Sequence, residues 1–429
     1  MQHNKVAASK KPEGLERQVG LFGASLLGLG SILGTGVFVS LGLAVGVAGD
    51  GVIYALGLAT LLAVCNALSS AQLAANHPVS GGTYAYGYRY LRPEFGFIAG
   101  LSFLLAKSAS AAAAAIGLVS YLVVLSGWKE APIGGIAAGI CILMTGLVAS
   151  GLRRANAVNT LLVAVTIGAL VWLIGAVWWQ KGLLGGVDWQ GGGISILPSG
   201  FFEAAALLFV AFTGYGRIAT LGGEVIAPRK TIPRAIIVTL WVAGALYLGV
   251  LLSGLAVLDS AGFVKEMQAS AAPLQAIAGS LDMPSLRAFL SLAAITAMAG
   301  VLLNLVLGLS RVAYAMGQQG DGPAFLGRLR GQEPFYATLF VGGAIALIAL
   351  LGGLFMVWSF SAFTVLIYYA ITNLAALQLS AEERLYPRFI SVLGLVGCLG
   401  LSIWITSSAI FYGVGALLLG LVIRHVFKR

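Results

Sequence analysis

The feature that most constrains this chain is a succession of apolar runs of about 20 residues, separated by short polar or charged breaks, from near residue 20 to near residue 425. A helix of that length rises about 30 Å, the thickness of a bilayer's hydrocarbon layer. The runs lie at about 20–47, 50–75, 95–126, 132–150, 156–180, 199–222, 234–258, 286–315, 336–354, 357–379, 388–405 and 408–425, which predicts an all-α integral membrane protein of twelve transmembrane helices. The last two runs are divided only by Thr406-Ser407-Ser408, a small polar punctuation. Composition agrees: 59% of the 429 residues are hydrophobic and 9% charged, too little polar surface for a soluble globule of this size.

A net charge of +10 would suggest nucleic acid in a soluble protein, but here the basic residues sit between the apolar runs and act as topology signals. With the amino terminus on the cytoplasmic side, alternation places 19 lysines and arginines there and 4 on the other, leaving Lys107 and Arg217 within or near spans. The positive-inside rule then puts both termini in the cytoplasm of a multi-pass protein of the cytoplasmic membrane, with lipid and not nucleic acid as its surroundings. Residues 1–19 are polar, carry Lys5, Lys10, Lys11 and Arg17, and lack a cleavage pattern, so they read as a cytoplasmic tail and not as a removed signal peptide. The longest polar connections, around 181–198, 259–285 and 316–335, are loop-sized and leave no room for a soluble domain. Cys65, Cys141 and Cys398 fall inside apolar runs without ligand-like spacing and read as buried structural thiols; neither a metal nor another cofactor is expected.

Two runs are interrupted. In the first, Gly28, Gly30, Gly34 and Gly36 fall within nine residues at about mid-membrane depth. Glycine costs a helix about 1 kcal/mol relative to alanine. Such a density predicts local unwinding, which a membrane tolerates only where the backbone is buried in protein or lines a polar cavity; the plainer alternative is close helix packing. The sixth run repeats the pattern in Ala211-Phe212-Thr213-Gly214-Tyr215-Gly216-Arg217. Interrupted helices at corresponding places in two halves point to an inverted-repeat transporter with a midplane site. Free amides after Leu33 suit a carboxylate and free carbonyls around Phe212 and Thr213 suit an ammonium, a pair complementary to an α-amino acid.

Gly30-Ser31-Ile32-Leu33-Gly34-Thr35-Gly36-Val37-Phe38 resembles the first-helix motif of the amino acid-polyamine-organocation transporters. Pro78-Val79-Ser80-Gly81-Gly82-Thr83-Tyr84-Ala85-Tyr86 resembles their loop after helix 2. The stretch from Ala211 to Gly223, with Glu224 and then Ala227-Pro228-Arg229-Lys230-Thr231-Ile232-Pro233-Arg234-Ala235, is similar to their helix 6 and its exit, and Ser310-Arg311-Val312-Ala313-Tyr314-Ala315-Met316 to the end of their helix 8. The resemblance implies a LeuT-like fold: helices 1 to 5 and 6 to 10 as inverted repeats, discontinuous helices 1 and 6, a ten-helix core over residues 20–380, and two peripheral helices with the carboxyl terminus over 381–429. It further implies a substrate site in which Ile32, Thr35 and Gly36 face the carboxylate, while Ala211, Phe212 and Gly214 meet the amine and gate the site, Phe212 as an aromatic lid; Gly34 and Thr213 complete the substrate-binding candidates.

The chain departs from many relatives, which carry an acidic residue where Gly216 stands, followed here by Arg217; this weakens a cationic substrate. Arg217 either favours an acidic substrate or pairs with Glu203, Glu224 or the carbonyls of the break, since an intramembrane arginine needs a partner. Proton-coupled relatives often have a lysine in helix 5, where this chain has Thr166. Lys107, about twelve residues into helix 3, is the alternative: burial disfavours the charged form of a lysine, so it can gain and lose a proton or serve as a fixed cation. His77 stands near the interface and reads as structural, the Ser108 to Ala115 run as a packing face, and Ser108, Asn304 and Ser361 as candidates for shaping the side-chain pocket.

The expected function is secondary active transport of an amino acid by symport with a proton or by exchange, by a monomer or homodimer. The alternatives are transport of another amine or a small organic acid, or a channel or sensor on the same helices. An enzyme is disfavoured because no span carries paired carboxylates, HExxH or a Ser/His pair, and no nucleotide-binding loop is present.

Overall fold

The computed structural model describes residues 19–77, 82–128, 130–151, 156–182, 198–219, 225–270, 272–331 and 333–427. Among them the chain is all-helical. Eight helical stretches are long and apolar enough to cross a bilayer, the first of them Leu21–Asn76 at 56 residues, and three more apolar helices of 10–17 residues accompany them.

The order is α1 (Leu21–Ile32), a π-helical turn over Gly36–Ser40, α2 (Leu41–Ala48), α3 (Val52–Asn76), α4 (Gly82–Tyr90), α5 (Pro93–Ser126), α6 (Ile133–Ala149) and α7 (Asn156–Lys181). It continues with α8 (Pro198–Phe212), a 3-10 turn over Thr213–Tyr215, α9 (Gly216–Ala219), α10 (Pro228–Ser270), α11 (Pro273–Gly279) and α12 (Pro284–Gln318). The last elements are α13 (Phe335–Leu351), α14 (Leu354–Leu377), α15 (Arg388–Ser402) and α16 (Ser407–Phe427).

Three features differ from the sequence expectation. The polar stretch after residue 258 is not a loop: α10 runs on to Ser270 and α11 follows. Leaving the membrane changes the preferred residues from apolar to polar, but it does not remove the capacity for backbone hydrogen bonding, so the helix continues. A short helix, α4, occupies most of the connection after α3, where Thr83 Oγ1 and Thr372 Oγ1 lie 2.7 Å apart. The glycine run of the first span breaks only at its far end: Gly28 and Gly30 stay helical and serve as contact points instead. A Cβ on Gly28 would come within 2.5 Å of Ile218 Cδ1, and one on Gly30 within 2.5 Å of Asn159 Oδ1. The last apolar stretch does divide, with α15 ending at Ser402 and α16 starting at Ser407.

The centre of the bundle is α5, whose most apolar window is 78% buried, against 17% for α16. Its small residues Ser108 to Ala115 are all buried and let α12 and α14 pack closely along it. The exterior is studded with exposed apolar side chains such as Phe22, Leu61, Trp241 and Phe411, a surface suited to lipid. All three cysteines are buried and free, Cys398 donating to Asn66 Oδ1 at 3.3 Å.

One charged knot fastens α16 to the bundle. Arg424 Nε donates to Asp321 Oδ1 at 2.8 Å, its Nη2 reaches Pro93 O at 3.3 Å, and its guanidinium lies 5.0 Å from the Phe97 ring centre. Tyr88 also donates to Asp321, and the Tyr84 hydroxyl lies 2.8 Å from both Asp321 Oδ2 and Gln319 Oε1. Burial alone would raise the Asp321 carboxyl, but the hydrogen bonds from Tyr88, Arg424 and Tyr84 outweigh it and hold the group below the usual carboxylate range. A depressed acid stabilises the fold above its ordinary value near pH 4 and loses that contribution only as pH falls through the lower folded value. Asp321→Asn leaves a buried guanidinium without its counter-charge, which costs about 3–5 kcal/mol. A lowering of the melting temperature by several degrees in detergent is expected, and an unchanged melt contradicts the assignment.

Candidate functional site

The site begins with the two breaks. α1 ends where Leu33 leaves helical geometry (φ −80°, ψ 80°), and Gly34 N–H folds back onto Ile32 O at 3.0 Å. The chain resumes when Val37 and Phe38 N–H both find Gly34 O, at 3.2 and 3.1 Å, and then widens into the π-helical turn, a form often found at functional sites. The wider turn loosens the carbonyl ladder, and side chains supply extra donors: Ser40 Oγ to Gly36 O at 2.6 Å and Tyr121 OH to Phe38 O at 3.1 Å. In the sixth run α8 tightens into the Thr213–Tyr215 turn before α9. Thr213 Oγ1 closes onto Val210 O at 2.7 Å, and Tyr369 OH lies 3.5 Å from Thr213 O.

The breaks touch each other. A Cβ on Gly214 would land on the Ser31 carbonyl, and one on Gly36 would land on the Tyr247 hydroxyl and come within 3.0 Å of Ala211 Cβ. Glycine is needed at Gly214 because backbone meets backbone there, and at Gly36 because the Tyr247 hydroxyl and Ala211 occupy the space a side chain would take. Tyr247, fully buried on α10, spans the junction: its hydroxyl lies 3.0 Å from Ile32 O and 3.2 Å from Ala211 O, one proton shared between the carbonyls of the two breaks. Deleting that hydroxyl leaves buried carbonyls unpaired, at about 1–3 kcal/mol. Tyr247→Phe is therefore expected to lower thermal stability and slow transport, with the substrate pocket intact; wild-type melting and rate contradict the role.

A cavity of about 300 Å³ opens beside the junction. Its wall includes Ser31, Ile32, Thr35 and Gly36 from the first break, Ala211, Thr213 and Gly214 from the second, Lys107 and Ser110 from α5, Val301 and Asn304 from α12, and Trp358, Tyr368 and Tyr369 from α14. It extends to Arg217, Arg311, Ala315 and Tyr84, toward the end of the bundle where Asp321 and Arg424 meet. Thr35 Oγ1 is buried and has no hydrogen-bond partner, a donor left for something in the cavity. Lys107 Nζ donates to Thr213 Oγ1 at 2.7 Å, linking α5 to the second break. Among the described residues the wall carries Lys107, Arg217 and Arg311 and no aspartate or glutamate.

Most sequence-predicted residues gather here, but not all. Gly34 faces Val301 and is absent from the wall. Phe212 is fully buried and packs on Tyr247, ring centres 5.0 Å apart, also off the wall. Asn304 lines the cavity; Ser108 does not, and Ser361 stands behind it, hydrogen-bonded with Ser110 Oγ at 2.8 Å and to Ala106 O at 2.9 Å. Glu203 accepts from Thr406 N–H at 3.1 Å, Thr166 bonds to Leu162 O within its own helix, and Glu224 lies outside the described residues, as do 78–81 of the second motif. His77 ends α3 beside Tyr86, and its imidazole is held low by burial and by the Arg89 charge. Sequence reasoning missed Tyr247, Trp358 and Tyr369; a buried aromatic with a polar tip in an apolar run is their only sequence signal.

Apolar spanning helices, two of them broken against each other beside a central cavity, define a multi-pass membrane transporter. The chain belongs to the amino acid permease family, whose model matches residues 23–424. It is similar to a transporter of Mycobacterium tuberculosis, 35% identical over 97% of this chain and 93% of the relative. The branched-chain amino acid permease of Bacillus subtilis is 28% identical over 99% and 96%, and the chloroplastic cationic amino acid transporter 9 of Arabidopsis thaliana 27% over 75% and 58%.

Proposed function

We propose that this protein carries an amino acid across the cytoplasmic membrane by alternating access, with a proton as coupling ion in symport or with exchange of one substrate for another. The observation that carries the reading is the junction of the two breaks at the cavity, where Thr35 offers an unpaired hydroxyl and the backbone of Ser31 to Gly36 faces that of Ala211 to Gly214. The first break suits the α-carboxylate and the second the α-amine. The family, and the similarity to a branched-chain amino acid permease, support an amino acid as substrate.

With Leu21–Asn76 taken as two crossings and the three short apolar helices included, the spans number twelve. Element lengths support an inverted repeat. A broken helix and its neighbour are followed by a short helix of 9 residues (α4) in one half and 7 (α11) in the other. Then come helices of 34, 17 and 26 residues in the first half and 35, 17 and 24 in the second. That order supports reading residues 20–380 as the core, and the exposure of α16 supports a peripheral place for 381–429. The charge asymmetry supports reading both termini and the Arg311 end of the cavity as cytoplasmic, and the cavity as facing inward.

Lys107 is the candidate coupling group. It lies on the central helix and donates to Thr213 of the second break, so a change in its proton count alters what holds that break. Thermal-shift screening of the purified protein against the twenty amino acids and common polyamines tests the reading, because a ligand that binds the native state raises its melting temperature. A shift with at least one amino acid is expected; none with any amino acid contradicts it.

A further inference from the structure

We propose that the preferred substrate is an amino acid whose side chain carries a second carboxylate, held by Lys107. The inference rests on the amino acid reading above and names its substrate class. An ammonium in the wall of an intramembrane cavity is costly without a counter-charge. Lys107 has three protons to donate, places one on Thr213 Oγ1, and has no carboxylate in ion-pair range among the described residues. Among the described residues the cavity beside it holds no acidic side chain either, so a substrate that carries its own carboxylate supplies the counter-charge of the protonated amine.

The α-carboxylate does not fill that role. The first break, with its buried, unpaired Thr35 hydroxyl, takes the α-carboxylate, and the carbonyls of the second break take the α-amine. Lys107 lies across the second break, on the side of the α5 and α14 wall where Ser110 and Tyr368 stand. A substrate seated on both breaks turns its side chain toward that wall. A second carboxylate there pairs with the ammonium, whereas an aliphatic side chain leaves it bare and a basic one sets like charge against like. Arg311, on the same cavity wall toward the cytoplasmic end, adds positive potential along the approach and favours anions over cations. About 300 Å³ accommodates aspartate or glutamate. An anion that brings the ammonium its counter-charge also makes binding of substrate and proton mutually supportive, which is the requirement for symport.

Binding of L-aspartate, L-glutamate, L-leucine and L-lysine to the purified full-length protein, followed by thermal shift and titration, tests the assignment. At least one of the two acids is expected to bind about tenfold or more tightly than leucine, with no measurable lysine binding. In Lys107→Gln, acid affinity is expected to fall at least tenfold more than leucine affinity does. Leucine binding as tightly as both acids in the unaltered protein overturns the acidic assignment and leaves amino acid transport standing. So does an equal loss for all ligands in Lys107→Gln. Absence of binding by every amino acid in a cooperatively melting protein overturns both.

Discussion

Lys107→Ala is expected to abolish proton-driven accumulation in proteoliposomes while exchange of internal for external substrate continues at saturating concentration. Under one-to-one coupling each pH unit supports at most about tenfold accumulation, since a factor of ten is 1.4 kcal/mol. The variant is expected to reach only equal concentrations on the two sides. The reason is positional. Lys107 projects from the centre of the bundle, where α12 and α14 pack on α5, and its ammonium holds Thr213, which in turn closes the second break through Val210 O. A group that can change charge at that point alters the stability of one arrangement of the break relative to another. Alanine removes the amine proposed to carry the proton and leaves the breaks themselves, with Tyr247 still joining Ile32 O to Ala211 O. Accumulation unchanged under a pH gradient removes the coupling role from Lys107.

Thr35→Trp is expected to eliminate substrate binding. Thr35 stands in the cavity wall with its hydroxyl buried and unpaired, between the Gly34 turn and the π-helical turn. An indole at that place fills much of a cavity of about 300 Å³ and covers the break proposed to receive the carboxylate. Overpacking of this kind costs about 1–3 kcal/mol, so a folded protein without a ligand-induced thermal shift is the expected result. Thr35→Ala separates occupancy from chemistry: loss of one hydrogen bond worth about 1 kcal/mol weakens binding roughly fivefold. Normal affinity in the tryptophan variant removes Thr35 from the site.

Much of the architecture was legible because membrane insertion writes itself into sequence. The apolar runs matched the observed helices to within a few residues at most ends, and even the weak punctuation at Thr406 marks the division between α15 and α16. The two glycine interruptions correctly located the junction. Their internal detail was not legible, since glycine serves both for unwinding and for close approach: Gly28 and Gly30 do the second, while Gly34 and Gly36 flank the real break. The helical continuation of α10 was hidden because an apolar count stops at the membrane surface. The facing of Ser108, Ser361 and Phe212 was equally hidden, as was the bridging of two breaks by Tyr247. These depend on which helices are neighbours, and that is a tertiary property. The resemblance supplied the site residues; the structure placed six of the eight substrate candidates on the cavity wall, with Gly34 and Phe212 packed behind it.

Counterflow tests the central claim most directly. Proteoliposomes loaded with a high concentration of the amino acid identified by thermal shift are diluted into a trace of the labelled compound, with no ion gradient imposed. A carrier that alternates around one site predicts transient accumulation of label above equilibrium, saturable and absent from Thr35→Trp. Entry of label that rises only to equilibrium, in proportion to concentration, contradicts alternating access and assigns these helices to a channel.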